Sequence, residues 1–272
     1  MQVLLTNDDG VNAPGLQALR RALAEVPGVE LAVIAPDSNR SATARSITTR
    51  RPIWVEEVDF GDGSVGYATD GTPVDCVRFA TLGLVDGFDP DLVVSGINHG
   101  SNLGDDITYS GTVAAALEAI VLGVPGIAIS QQSRARELDF RLGREFDFTT
   151  AATFCARLVE ELEEVPMPPA TLLNINVPGR DPEGVDITRL GKRIYRDSLA
   201  LEEEGDDGRR LYRIYGDAPG YHHEEGTDLA SVADGRIAVT PVHFDLTDRA
   251  GMDALRVHDL ARLLRPAARE VE

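Results

Sequence analysis

The chain opens on a short apolar run, Gln2 to Leu5, that stops in Thr6-Asn7-Asp8-Asp9-Gly10. Leu16, Leu19, Ala22 and Leu23 then recur at helical spacing. A run this short suits a strand buried on both faces, so the segment reads as strand, polar loop, helix. The same alternation returns downstream. Glu30 to Ala35, Asp91 to Ser95, Gly126 to Ser130 and Thr171 to Val177 are further apolar runs. Helical periodicity marks Thr72-Pro73 through Leu84, Val113 to Leu122, and Phe146 to Val165. Thr72 is expected as the N-cap of its helix, with Pro73 at the first helical position. Repeated strand–helix alternation predicts an α/β protein with a mainly parallel sheet covered on both faces.

Two regions break the alternation. Ile47 to Val55 and Ser64 to Thr69 read as paired strands around Gly61-Asp62-Gly63. Gly61 to Gly66 formally matches GxGxxG, but a β-like segment follows it where the dinucleotide fingerprint needs a helix. A hairpin with an Asp-Gly turn is the expectation. Beyond Pro178 the β-like segments are Val185 to Leu190, Tyr195 to Leu199, Arg210 to Tyr215 and Arg236 to Thr240. The acidic run Glu202 to Gly208 reads as a solvated hairpin tip, and His222 and His223 as loop residues without chemical duty. Met252 to Leu264 reads as a terminal helix. Residues 1–190 are therefore expected as a catalytic core, and 191–272 as a β-rich arm plus helix suited to embracing a second subunit.

Composition narrows the class. The 272 residues suffice for one continuous core, with 43% hydrophobic positions. No apolar run approaches the roughly 20 residues of a membrane span, and the start lacks a signal peptide's basic stretch, so a cytoplasmic location is expected. The formal charge is −19, and Lys192 is the only lysine. That balance gives no basic face for duplex nucleic acid. It fits a salt-rich, halophilic cytoplasm, where ions screen self-repulsion. Cys76 and Cys155 stand singly, which predicts two reduced core thiols and neither a disulfide nor a zinc site.

The candidate chemistry lies where polar loops follow the strands, because ligands of open α/β sheets sit outside the strands' carboxyl ends. Asp8 and Asp9 suit a hard divalent cation such as Mg²⁺ or Mn²⁺, although Asn, Asp and Gly also build turns and caps. The second loop, Pro36 to Thr43, offers hydroxyls and Arg40 to a metal or an oxyanion. In the third, Gly96, Gly100 and Gly104 permit close approach to a ligand and Asn98 offers a neutral ligand oxygen. Ser110-Gly111-Thr112 opens a helix, where free N–H groups and hydroxyls suit phosphate; N-capping by Ser110 or Thr112 is compatible with that.

Thr6-Asn-Asp-Asp-Gly10, Ala35-Pro-Asp-Ser-Asn-Arg-Ser41, Ser95-Gly-Ile-Asn-His-Gly-Ser-Asn102 and Tyr109-Ser-Gly-Thr112 resemble, in order, the hallmark segments of SurE, the survival protein E family of metal-dependent nucleotidases. Gly71-Thr-Pro-Val-Asp-Cys76, Leu173-Asn-Ile-Asn-Val-Pro178 and Val239-Thr-Pro241 match further family segments. The resemblance implies a three-layer αβα sandwich with a Rossmann-like sheet, a β-hairpin extension and a C-terminal arm exchanged within a homodimer or homotetramer. It implies hydrolysis of nucleoside 5′-monophosphates, and also of 3′-monophosphates, with one divalent cation per subunit. The implied ligands are Asp8, Asp9, Ser41 and Asn98; Asp8 and Asp9 are the implied catalytic residues, and Asn7, Asn102, Ser110, Gly111 and Thr112 fall at phosphate-contact positions. Ser38 and Ala42 depart from the family pattern, which has a basic or polar residue and often glycine at those places. Ser41, directly after Arg40, is taken as the coordinating hydroxyl. Asp8 is expected to manage a proton for an attacking water; an aspartyl-phosphate route is the rival. A non-catalytic nucleotide or phosphate sensor on the same scaffold is the alternative function.

Overall fold

The opening run becomes β1 (Gln2–Thr6), followed by α1 (Pro14–Ala24), β2 (Glu30–Pro36), β3 (Val55–Asp59), β4 (Val65–Thr69) and α2 (Pro73–Thr81). Then come β5 (Leu92–His99), α3 (Gly111–Val121), β6 (Gly126–Gln131), α4 (Thr149–Glu160) and β7 (Thr171–Val177). The tail holds β8 (Val185–Ile187), β9 (Arg193–Ile194), β10 (Ala200–Glu204), β11 (Arg210–Arg213) and β12 (Gly220–Tyr221). It closes with α5 (Asp228–Ala233), β13 (Ile237–His243) and α6 (Arg249–Arg256). This computed structural model describes residues 1–137, 145–196, 198–214 and 220–264. Tyr215, Pro219 and Ala218, which belong to expected tail segments, lie outside the described residues.

Among the described residues, nine strands form one sheet in the order β3-β4-β2-β1-β5-β6-β7-β13-β8. Strands β4 through β7 run parallel, whereas β3 on β4 and β13 on β7 are antiparallel. Side chains alternate between faces along each strand. Val3, Leu5, Val94 and Ile129 therefore pack with Leu16 and Leu19 of α1 and Cys155 and Val159 of α4. Leu4, Ile34 and Val93 point the other way, against Cys76 and Val77 of α2 and Ala115 and Ala119 of α3. The result is the expected three-layer sandwich. Each wholly buried Leu or Ile contributes about 1.5–3 kcal/mol. No helix among the described residues is long and apolar enough to cross a membrane.

Several boundaries differ from the sequence reading, each for a local reason. β5 continues to His99 instead of ending at Ser95, because a one-residue bulge opposite β6 carries the ladder past Gly96. The hairpin begins at Val55: in place of a strand from Ile47, the preceding loop is anchored by Thr48 N–H donating to the Asp75 carboxylate and Trp54 N–H to Asp70. α4 is shorter than Phe146–Val165, since Phe146 and Phe148 leave the helix to stack on His99. Glu202 to Glu204 lie within β10, not at the hairpin tip, and the turn sits at Gly205–Gly208. The terminal segment is α6 followed by a 3₁₀ turn, Leu260–Leu264, rather than one helix. β13 lies inside the central sheet against β7, so the excursions from the core within 191–264 are β9 to β12 and the segment after His243.

The GxGxxG match spans the turn between β3 and β4 and runs into β4, as the hairpin reading expects. Phe60 N–H donates to the Ser64 carbonyl, and Arg20 of α1 bonds Asp62 (2.7 Å) and Ser64 (2.6 Å) from beneath. That guanidinium holds the Asp62 carboxyl well below the usual carboxylate range. Thr72 and Asp75 form a reciprocal capping box at α2. Both cysteines are buried free thiols; burial pushes the Cys155 pKa up to about 12, which makes it inert at neutral pH.

Candidate active site

The sheet's order reverses at β1. The chain runs outward from β1 to β2 and β4, then returns to lay β5 on the other side of β1. Such a switch point opens a crevice at the strands' carboxyl ends. Thr6 pairs with Ser95, so Asn7-Asp8-Asp9 and Gly96-Ile97-Asn98 leave the sheet side by side.

Asp8 is buried, with its carboxylate at the N-terminus of α3. Thr112 Oγ1 donates to Asp8 Oδ1 at 2.5 Å and also lies 3.3 Å from Asn98 Oδ1. Asn98 Nδ2 donates to the Gly100 carbonyl at 2.7 Å, which turns its Oδ1 toward the carboxylates' neighbourhood. Asp9 accepts from His99 N–H at 3.0 Å and from Asn39 Nδ2 at 3.1 Å. Asn39 Oδ1 in turn accepts the Ser41 N–H at 2.8 Å, so one amide ties the Ser41 loop to Asp9. Arg40 N–H donates to the Asp8 carbonyl at 2.6 Å, which brings the second loop against the first. Ser38 is turned away, its hydroxyl donating to Asp37 at 2.6 Å.

Electrostatics explain what this cluster lacks. Burial and the neighbouring Asp9 charge raise the Asp8 pKa to about 6, against the Thr112 hydrogen bonds that lower it. Burial raises Asp9 as well. Among the described residues, no arginine or lysine pairs with either carboxylate; the only basic neighbour is His99, whose Nδ1 is 4.0 Å from Asp9. Burial holds His99 below its ordinary pKa, so it is neutral at pH 7. Two crowded carboxylates without a counter-charge, beside an amide oxygen and hydroxyls, form a hard-oxygen set that fits Mg²⁺ or Mn²⁺. No three His, Cys, Asp or Glu side chains gather as a metal site among the described residues. Beside the two carboxylates stand the neutral oxygens of Asn98 and Thr112, 3.3 Å apart, while exposed Ser41 is tied to Asp9 through its N–H and Asn39.

The phosphate-contact positions divide. Ser110 Oγ caps α3 by accepting the Val113 N–H at 3.1 Å, and its hydroxyl hydrogen is left for another acceptor. Gly111 lies against Asp8: a Cβ there would come within 2.7 Å of the Asp8 Cβ. Asn7 is wholly buried, and both of its polar atoms bond Gly10, so it shapes the turn that carries Asp8 and Asp9. Asn102 is held by its backbone: its N–H donates to Asn176 Oδ1 (2.8 Å), and its carbonyl accepts from Asn174 and Asn176 (both 2.9 Å). Its side chain donates to Ser130 Oγ at 2.9 Å. Ala42 sits at φ +59°, the left-handed region, which glycine adopts freely and which costs alanine about 1–2 kcal/mol.

Sequence reasoning missed three supports. Asn174 and Asn176 gave a signal: two amides on one face of a fully buried strand must find partners. Asn39 gave none beyond loop polarity. Neither did the stack of His99 on Phe146 (5.2 Å) and Phe148 (4.9 Å), which steadies the His99 backbone that holds Asp9. Asn176→Ala is expected to strand the Asn102 N–H and lower stability by about 2 kcal/mol, read as a shifted denaturant midpoint at constant slope.

A Rossmann-like α/β sandwich with paired acids and an anion-ready helix terminus at its switch point belongs to the crevice-binding class of open-sheet proteins. The family model described as "Survival protein SurE" matches residues 3–197. A 5′-nucleotidase SurE of Rubrobacter xylanophilus is 55% identical over 97% of this chain and 99% of its own. One of Chloroflexus aggregans is 47% identical over 94% and 98%. The crystal structure of the SurE protein from Aquifex aeolicus superposes with a TM-score of 0.78 at 37% identity, covering 94% of this chain and 99% of that one. The chain belongs to the SurE family.

Proposed function

We propose that this chain is a 5′-nucleotidase that hydrolyses nucleoside 5′-monophosphates, and secondarily 3′-monophosphates, to nucleoside and phosphate. One divalent cation per subunit is held by Asp8, Asp9, Ser41 and Asn98. The observation that carries this reading is the contact between Asp8 and the start of α3. A helix N-terminus favours an anionic ligand, yet two acids crowd it. A phosphoester is accommodated there only with a cation among them.

When bound, the cation polarises the phosphoryl group and acidifies water. The chain's own residues do the rest. The first-turn N–H groups of α3 and the Ser110 hydroxyl hold phosphoryl oxygens as charge develops on them. Thr112 donates to Asp8 Oδ1 and fixes that carboxylate's orientation. Asp8 accepts a proton from the attacking water and returns one to the departing 5′ alkoxide, so water's O–H adds to phosphorus and the nucleoside leaves neutral. Asn39 and the His99 N–H keep Asp9 facing the cation site.

The tail supports a homo-oligomer. Leu246, Val257, Leu263 and Leu264 are each more than 70% exposed, and Leu201, Leu211 and Tyr212 are exposed on the β10–β11 hairpin. Such apolar surface is that of an arm awaiting a second copy.

Phosphate release from nucleoside 5′- and 3′-monophosphates, in high salt with Mn²⁺, Mg²⁺ or chelator, tests the activity. Chelation is expected to abolish release and Mn²⁺ or Mg²⁺ to restore it. Release unaffected by chelation overturns the cation role, and no release by the folded protein leaves a nucleotide sensor. Because binding needs ionised carboxylates, Mn²⁺ affinity is expected to be flat above pH 7 and to fall by up to about tenfold per unit below about pH 6. Calorimetric titration across pH 5–8 reads this directly.

A further inference from the structure

A cavity of about 330 Å³ at the carboxyl end of β6 is lined by Gln131, Arg134, Asp147, Thr150, Arg180 and Asp181. Its volume is that of a small-ligand pocket. Gln131 ends β6 directly opposite His99, and its carbonyl accepts the Gly100 N–H at 2.9 Å. Its side chain therefore shares a face with His99, whose own N–H holds Asp9. From β1 to β6 is two strand spacings, about 10 Å. A nucleoside 5′-monophosphate spans a comparable distance between its phosphorus and the far edge of its base.

The polar groups of the cavity are oriented. Gln131 is buried, and its Nε2 donates to the carbonyls of Gln132 (3.0 Å) and Pro178 (2.9 Å). Those two acceptors decide which way the amide lies, because the oxygen could not take the place of Nε2. Oε1 is consequently left with no donor among the described residues. A buried acceptor of this kind requires an N–H from elsewhere. The two guanidiniums are steadied at the cavity: Arg134 by Asp147 at 3.0 Å, and Arg180 by the Asp234 carbonyl at 2.6 Å. Each keeps further N–H groups, since a guanidinium carries five.

We propose that this cavity is the nucleoside subsite, and that it selects bases bearing an exocyclic amino group, whose N–H answers Gln131 Oε1. This deepens the nucleotidase reading and rests on it. Adenine at C6 and cytosine at C4 present that donor, whereas guanine carries its amino group at C2 and a carbonyl at C6. Hypoxanthine and uracil present a carbonyl in its place, which sets acceptor against acceptor and leaves two buried oxygens unpaired. Arg134 and Arg180 donate to the base's ring nitrogens and to the ribose hydroxyls.

The test compares kcat/KM for AMP against IMP, for CMP against UMP, and for AMP against ribose 5-phosphate, with Mn²⁺ present. Expected are ratios of about tenfold or more in favour of AMP over IMP and CMP over UMP. Gln131→Met, which keeps volume but loses both the Oε1 acceptor and the Nε2 donations to Gln132 and Pro178, is expected to bring the AMP/IMP ratio to within about twofold in the folded variant. Thr150→Trp fills the cavity and leaves Gln131 itself unsubstituted, and is expected to lower the AMP/ribose 5-phosphate ratio by about tenfold. Equal wild-type use of AMP and IMP overturns the subsite while leaving the nucleotidase intact, as does a ratio unmoved by either variant. Release from none of the phosphoesters overturns the nucleotidase reading and the subsite with it.

Discussion

Asp8→Asn is expected to lower kcat by at least about 10³-fold while the protein stays folded. The amide is isosteric with the carboxylate and can still accept from Thr112 Oγ1, so the local geometry survives. What is lost is a proton carrier and half of the charge that attracts the cation. Stability moves the other way. A carboxyl whose pKa is raised in the folded state, here to about 6, costs that state stability as the pH rises from its unfolded value through the folded one. At pH 7.5 the metal-free protein carries that cost in full. The metal-free thermal midpoint of Asp8→Asn is thus expected to equal or exceed that of the wild type, and the gain in midpoint on adding Mn²⁺ to shrink. Full metal-dependent turnover by this variant would remove Asp8 from the mechanism.

Gly111→Ala is expected to lower kcat/KM by about 10²-fold and to lower stability by about 1–3 kcal/mol, because a buried Cβ has to shift. The added methyl meets Asp8 Cβ at 2.7 Å and Asp8 Oδ2 at 2.9 Å, and its nearest contacts are all on Asp8. The helix does not object: alanine is the better helix former by about 1 kcal/mol, and Ser110 still caps the terminus. The Asp8 carboxylate has to give way, and a displacement of about 1 Å in a reacting group costs on this order. Circular dichroism at 25 °C should match the wild type, with a lowered thermal midpoint, while phosphate release drops about 10²-fold. A variant of normal activity would show that Asp8 has room to spare and that its contact with α3 is incidental.

Much of the fold was legible because its strands are buried on both faces. Apolar runs such as Leu4-Leu5 and Leu172-Leu173 have no use except within a covered sheet, and the polar loops between them have none except outside it. The helix over Thr72 to Thr81 was legible from its capping chemistry, which is local. The tail was less so. Residues 237–243 read as part of an arm yet form β13, since an antiparallel strand at a sheet's far side carries no signature of the strand it joins. The end of β5 was hidden for a similar reason: a bulge depends on the partner strand's register, not on the bulged residues.

Within the site, residue type determined the chemistry available. Adjacent aspartates, an asparagine and a Ser-Gly-Thr helix start are hard-oxygen and anion-binding groups in any fold, and their places at strand exits follow from the alternation that encodes the sheet. Which of them meet is a matter of three dimensions. Asn7 and Asp8 are neighbours in the chain, yet one turns inward to close a loop with Gly10 and the other meets Thr112, 104 residues away. The raised pKa of Asp8 arises from burial beneath α3, the support of Asn102 from β7, and the hold on Asp9 from Asn39 and the His99 backbone. Sequence by itself set the inventory of groups and the period of the elements, because both are local properties. Only the packing of β1 between β2 and β5 decided their distances, their solvation and hence their reactivity.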